Sequence, residues 1–381
     1  MTKSLKFKNC VASIMLLMFT SAAFGQGQLL ISKEAQTART DAYENELTKY
    51  LTNYLIDQYD TRAANAWNRD YSSIPAFIRS VQPNREKWAS MVIKPPVLRK
   101  TGAVKIRPYN LGDLKAEWIE VPLGILKAEA ILAFPPNASK DKPVAIVIVQ
   151  HGIGSDPEST FEENGSIATE YHAYARALLK AGFAVLAPLN LRDIERRNYI
   201  ESLCRLANIS LPGIELVRLQ NLLDTVLADR RINKEKVGMW GVSRGGLATQ
   251  FFMPLEPRIK AGIAAAFFNE RRNKMVLPDK RTSFWPNETH AGFSGWLTEF
   301  SDKDLVSLIC PRPLMIQTGK KDPIGYWQQI KEEFNNAKIP YQKLGIEDRI
   351  SLLIHEGGHE PVTDEGVKFL TKWLMQSGEV K

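Results

Sequence analysis

A chain of 381 residues with 44% hydrophobic residues can bury a full core as one large domain or two smaller ones, and its composition is ordinary for a globular protein. Its formal net charge of +8 falls to +5 without Lys3, Lys6 and Lys8, which lie in a segment expected to be removed, and so mild a charge does not imply a nucleic-acid partner. With that segment gone only Cys204 and Cys310 remain, too few for a disulfide framework, and they read as buried thiols.

Residues 1–25 have a basic start, an apolar run over 11–19, and small residues Ser21, Ala22, Ala23 and Gly25. This is the layout of a secretory signal. The run falls short of the ~20 residues that span a bilayer, and Ala23 and Gly25 suit the positions before a cleavage at Gln26. The expectation is an exported protein, periplasmic or secreted, with no stable membrane insertion after cleavage. Cys10 precedes most of the apolar run and is badly placed for lipid attachment.

Residues 26–105 form a helical N-terminal extension in this reading. From 31 to 88 the chain is rich in Glu, Lys, Gln and Asn, with Tyr50, Leu51, Tyr54 and Leu55 at helix spacing. Pro95, Pro96 and Pro108 then break the pattern, which places a soft boundary near residue 105 and a catalytic domain over 106–381. Residues 117–121 and 128–134 read as an antiparallel hairpin turning at Gly124.

Short apolar runs follow at 144–149, 184–188, 237–240, 262–268, 314–317 and 351–354, with helical stretches between most of them. Continuous apolar strands alternating with helices predict an α/β fold, a mostly parallel sheet buried on both faces. In such a sheet ligand-contacting loops gather at the carboxyl ends of the strands. Reactive residues are therefore expected just after each run.

The run ending at Trp240 leads into Gly241-Val242-Ser243-Arg244-Gly245-Gly246 and a helix-compatible stretch. A strand turning sharply into a helix strains the backbone at the serine, and the flanking glycines remove side chains that would clash. Ser243 is the candidate nucleophile; the structural alternative is a tight turn in which it only caps the helix. The first buried strand ends in Gln150-His151-Gly152-Ile153-Gly154-Ser155, a flexible turn that can aim a backbone N–H at a substrate oxygen. Ile153 N–H and Arg244 N–H are the candidate oxyanion donors, with the donor of the 151–155 loop left open. His151 reads as a structural hydrogen-bonding residue.

Asp322 follows the run at 314–317 and can orient a histidine, with Glu270 after the preceding strand as its competitor. The last run leads into His355-Glu356-Gly357-Gly358-His359-Glu360, where two glycines let the loop return His359 to the serine as general base. His355, fixed by the strand end, is the weaker candidate. The same glycines argue against the one-face helix that a zinc pair needs. The resulting order Ser243, Asp322, His359 is that of α/β-hydrolases.

From about residue 105 onward the chain resembles the dienelactone-hydrolase-like and acetyl-xylan-esterase-like branch of the α/β-hydrolases. The resemblance rests on His151-Gly152-Ile153-Gly154, the elbow at 241–246, Cys310-Pro311-Arg312-Pro313-Leu314-Met315-Ile316 leading to Asp322, and Gly357-Gly358-His359. It implies carboxylic-ester hydrolysis with no metal or cofactor, through a Ser243, Asp322, His359 triad. Arg244 after the nucleophile also resembles glucuronoyl esterases, whose usual lysine further along the elbow is lacking here. A prolyl-oligopeptidase-like peptidase shares the fold and triad order, but here the preface is short and helical and has no series of propeller strands. A hydrolase fold kept as an inactive binding module is the reading from another class.

About 45 residues separate the last two apolar runs before Asp322, too many for a simple connection. They begin with Arg271, Arg272 and Lys274 and carry Phe284, Trp285, His290, Phe293, Trp296 and Phe300. Two readings stand: the aromatics pack the insertion onto the domain, or Trp285, His290 and Trp296 form a wall that stacks the sugar of a carbohydrate ester.

Overall fold

The computed structural model describes residues 31–93, 98–164, 168–276, 292 and 294–376. The expected signal segment, Trp285 and His290 lie outside the described residues. The chain divides into two compact units, residues 1–53 and 54–381. The first contains helix α1 (Lys33–Thr52), whose N-terminus is capped by Ser32 accepting from the Ala35 N–H. This helix buries none of its residues: Tyr50 and Leu51, which recur at helix spacing, are 68% and 50% exposed.

The second unit is built on a nine-stranded sheet in the order β1-β2-β3-β5-β4-β6-β7-β8-β9. β1 (Lys105–Leu111), β2 (Leu114–Leu123) and β3 (Leu126–Ala133) form an antiparallel meander, and Gly124 at φ +79° makes the expected tight turn between the latter two. β3 pairs antiparallel with β5 (Ala184–Pro188). From there β4 (Val144–Gln150), β6 (Ile232–Val242), β7 (Ile259–Ala265), β8 (Leu314–Gly319) and β9 (Ile350–His355) continue in parallel.

The differences from the apolar runs have local causes. β1 was not expected, because it is a mostly exposed edge strand carrying Pro108, a residue that a strand tolerates at an edge where no N–H is required. β6 starts earlier than its apolar run because Asn233, Lys234, Glu235 and Lys236 form its solvated first half. β7 stops at Ala265 because Ala266 turns to φ +54°, outside the strand region.

Alternation along the strands fills two cores. Ile146, Ile148 and Met239 face one, and Val147, Val149 and Trp240 face the other. The second is covered by α5 (Tyr174–Lys180) and α11 (Thr363–Leu374), whose Tyr174, Phe369 and Leu370 pack there.

The first core takes in Tyr59, Phe77 and Trp88, from α2 (Tyr59–Ala66), α3 (Ile74–Ser80) and α4 (Gln82–Val92). Trp88 meets Phe251 edge-on at 5.1 Å and donates its indole N–H to the Phe251 carbonyl at 3.2 Å. At about 1.5–3 kcal/mol for each fully buried large apolar side chain, these helices are integral to the core of the second unit. The change near residue 105 is thus one of secondary structure, from helix to strand, and packing is continuous across it. The same core is lined by α7 (Leu211–Val226), α8 (Arg244–Phe252), α9 (Asp302–Ile309) and α10 (Trp327–Ala337).

Candidate active site

Ser243 sits where β6 passes into α8, at φ +58° and ψ −119°, a backbone conformation that L residues rarely adopt. Its N–H is held by the Ala265 carbonyl of the neighbouring strand at 2.9 Å. The turn is possible because of its glycines: a Cβ on Gly241 would lie 1.9 Å from the Gly245 carbonyl oxygen, and one on Gly245 would lie 2.0 Å from that of Gln150.

Asp322 follows β8, and its side chain is only 1% exposed. One carboxylate oxygen accepts from the Ile324 and Gly325 N–H groups at 2.9 and 3.1 Å; the other accepts from His359 Nδ1 at 2.8 Å. Burial alone would raise its pKa, but the hydrogen bond and charge of His359, the Ile324 N–H and the more distant Lys274 outweigh it. The carboxyl is held below its ordinary range. Because an ionised carboxylate only accepts, His359 Nδ1 carries a proton, and in the neutral imidazole the lone pair is then on Nε2.

Ser243 and His359 line one cleft of about 380 Å³ together with Ile153, Glu170, Tyr171, Val242, Ile324, Gly358 and Glu360. Glu270 stands elsewhere. Its carboxylate accepts from Arg272 and from the Asn273 N–H, so it does not orient the histidine. His355 uses Nδ1 to accept the Gly357 N–H at 3.2 Å and does not line the cleft.

In the loop after β4, the Gly152 N–H donates to the Tyr171 hydroxyl at 2.7 Å and the Gly154 N–H to the Arg192 carbonyl at 2.8 Å. Ile153, between them, lines the cleft, and no hydrogen bond holds its N–H among the described residues. His151 is 2% exposed. The Asn190 N–H donates to its Nε2 at 3.2 Å, which leaves Nδ1 protonated toward the Gly152 carbonyl at 2.9 Å. Burial pushes its pKa down to about 4, so this imidazole is a neutral structural strut.

Arg244 begins α8, where backbone N–H groups have no carbonyl one turn earlier. Its guanidinium does not line the cleft of Ser243. It runs behind the loop after β4 to Glu215, whose second carboxylate oxygen accepts from Arg197 of α6 (Ile194–Leu206) at 2.7 Å. Burial would raise the Glu215 pKa, but the two arginines drive it down to about 2.

Of the two readings of the insertion, packing onto the domain is the one Trp296 follows. Trp296 is 2% exposed and packs edge-on against Phe251 at 5.0 Å, which makes it a core residue and not a platform for a sugar. Arg271 pairs with buried Asp302, Arg272 with Glu270 and Asp60, and Lys274 donates to the Ile324 carbonyl, so these cations are engaged within the protein. Sequence reasoning missed Tyr171, His172 and Glu360 around the cleft, and Glu215 behind it.

Among the described residues no cluster of His, Cys, Asp or Glu could hold a metal ion, and no helix is long and apolar enough to cross a membrane. Cys204 and Cys310 are buried and unbridged.

No protein-family model matches the chain. Over 261 residues it is 23% identical to YtaP of Bacillus subtilis (strain 168), named as a candidate hydrolase, covering 65% of this chain and 84% of that one. Among solved structures it is similar to a candidate acetyl xylan esterase from Bacteroides fragilis NCTC 9343, with TM-score 0.61 and 18% identity, covering 75% of this chain and 77% of the other. A glucuronoyl esterase from Solibacter usitatus gives TM-score 0.60 and 13% identity, covering 79% and 94%. One from Teredinibacter turnerae T7901 gives TM-score 0.58 and 14% identity, covering 81% and 90%. The shared architecture, a mostly parallel sheet flanked by helices, is the α/β-hydrolase fold.

Proposed function

We propose that this chain, an α/β-hydrolase by fold, is an exported serine esterase that cleaves a carboxylic ester, with the ester of a carbohydrate as the favoured substrate class. The observation that carries the reading is the meeting of a strained Ser243 and an Asp322-bound His359 in one cleft. A nucleophile exposed by backbone strain, and a histidine whose Nδ1 proton is fixed by a buried carboxylate, are the parts that acyl transfer needs.

In this mechanism His359 Nε2 takes the Ser243 proton as Oγ attacks the ester carbonyl. The resulting oxyanion accepts from the N–H groups of Ile153 and Arg244. Collapse expels the alcohol, which takes the proton back from His359, and leaves an acyl group on Ser243. Water activated by His359 then releases the acid. Asp322 stays ionised throughout and stabilises the imidazolium.

The carbohydrate-ester preference draws support from the printed names of the structural neighbours, acetyl xylan and glucuronoyl esterases. The test is fluorophosphonate labelling of the wild type and Ser243→Ala, followed by turnover of acetylated and uronate sugar esters beside p-nitrophenyl acetate. Labelling at Ser243 and loss of turnover by several orders of magnitude in the variant are expected. An unlabelled wild type, or a variant that still turns over, refutes the serine mechanism.

A further inference from the structure

The Tyr171 hydroxyl, 2% exposed as a residue, closes a ring of hydrogen bonds with the oxyanion loop. It accepts the Gly152 N–H at 2.7 Å and lies 2.5 Å from Ser155 Oγ. Ser155 Oγ in turn donates to the Gly152 carbonyl at 3.2 Å. With that proton committed, the phenol must be the donor to Ser155, and every polar group of the ring is satisfied in one direction. Gly152 lies between the phenol and the nucleophile: a Cβ there would come within 2.9 Å of Tyr171 Oη and 3.2 Å of Ser243 Cβ.

The next residue reaches the other side of the cleft. His172 Nε2 lies 2.5 Å from Glu360 Oε2, and Glu360 Oε1 accepts the Gly358 N–H at 2.8 Å. Gly358 and Glu360 flank His359. His172 and Ala173 have successive left-handed backbones, φ +50° and +45°, which separate the helical turn ending at Tyr171 from α5. Two such residues in a row persist only where their surroundings over-determine them.

We infer that Tyr171 and His172 form a bracket that holds the oxyanion loop and the general-base loop at a fixed spacing across the cleft. Tyr171 engages the Gly152 N–H and so leaves Ile153 to donate to the oxyanion. His172, through Glu360, sets the position of His359. Both are positioning residues, and the assignment rests on the serine-esterase reading.

The experiment compares Tyr171→Phe, His172→Ala and His172→Gln with wild type on p-nitrophenyl acetate, with melting temperature measured in parallel. Displacing an oxyanion donor or a base lowers kcat, by about tenfold to a hundredfold here, since outright removal of a donor costs about a hundredfold to a thousandfold. KM should stay within about twofold, because the ground-state ester makes few of these contacts. Tyr171→Phe should also weaken a trifluoromethyl ketone, whose adduct carries the oxyanion, in proportion to its loss in kcat. His172→Gln, which keeps a donor for Glu360, should recover most of the loss seen in His172→Ala.

His172 has a side chain 44% exposed, so its variants test the bracket even if Tyr171→Phe does not fold. Folded variants with wild-type kcat, a loss confined to KM, or a His172→Gln no better than His172→Ala would each overturn the bracket while the esterase reading stands. A wild type that neither turns over the ester nor labels at Ser243 would instead overturn the underlying reading.

Discussion

Glu215→Gln replaces a buried carboxylate by a neutral amide of the same shape, between the two arginines, Arg197 and Arg244, that it bridges. The stability at stake can be worked from its ionisation. A glutamate carboxyl ordinarily titrates at 4.5, and here burial opposed by Arg197 and Arg244 leaves it at about 2. That difference corresponds to about 3 kcal/mol, in the range seen when one partner of a buried ion pair is removed.

The folded-state value is depressed, so the stabilisation is complete above pH 4.5 and is lost as pH falls toward 2. Urea unfolding of wild type and Glu215→Gln across this range reads the effect, urea being chosen because it adds no salt to screen the pair. The two should differ by about 3 kcal/mol from pH 7 to pH 5, and most of that gap should close by about pH 3. A gap below about 1 kcal/mol at neutral pH, or one that does not change with acid, would refute the claim that Glu215 is ionised and holds both arginines.

Asp322→Asn should lower kcat by about 10⁴-fold while Glu270→Gln leaves it near wild type, since only Asp322 holds His359 Nδ1; the reverse ranking in steady-state kinetics would move the acid. His151 is kept neutral, its pKa lowered from 6.5 to about 4, so its contribution is lost as pH falls through that window. Wild type should lose up to about 3 kcal/mol there that His151→Gln does not, and equal slopes in urea unfolding would contradict this. Trp296→Ala should cost about 3–5 kcal/mol in unfolding free energy and leave the KM for a sugar ester unchanged in the folded fraction. A raised KM without destabilisation would restore Trp296 to the substrate wall.

The parallel half of the sheet was legible because buried strands announce themselves as apolar runs, and the proposed site residues Ser243, Asp322 and His359 because loops at the carboxyl ends of such strands gather at one edge of the sheet. His359 and Asp322 could each be picked out by position alone. The bracket could not: His172 and Glu360 are 188 residues apart, and neither carries a local pattern that names the other. The same holds for Glu215, which reads as an ordinary helix residue until Arg244 is seen to turn toward it. Residues 54–93 misled in another way. They read as a helical extension, and their polar composition does not disclose that a few large side chains, Tyr59, Phe77 and Trp88, bind them into the main core. Arg312, noted as part of a Pro-Arg-Pro run, donates to the carbonyls of Met253, Glu256 and Ile259, a staple under the loop from α8 to β7 that no spacing rule would disclose.

Pairing between β4 and β6 sets Gln150 opposite Gly241, so the loop holding Ile153 and the elbow holding Ser243 leave the sheet at the same level. The ladder works as a ruler whose last graduation is the cleft that Ser243 and Ile153 line. An insertion of one residue within either strand would shift that graduation by about 3.3 Å and turn its side chains to the opposite face, separating Ser243 from the Ile153 N–H at once. Residues added after the last rung have no such effect. Loops beyond the ladder can therefore lengthen and reshape the surroundings of the cleft, while the spacing between the Ser243 elbow and the Ile153 loop is set by backbone hydrogen bonds that no side-chain substitution rewrites.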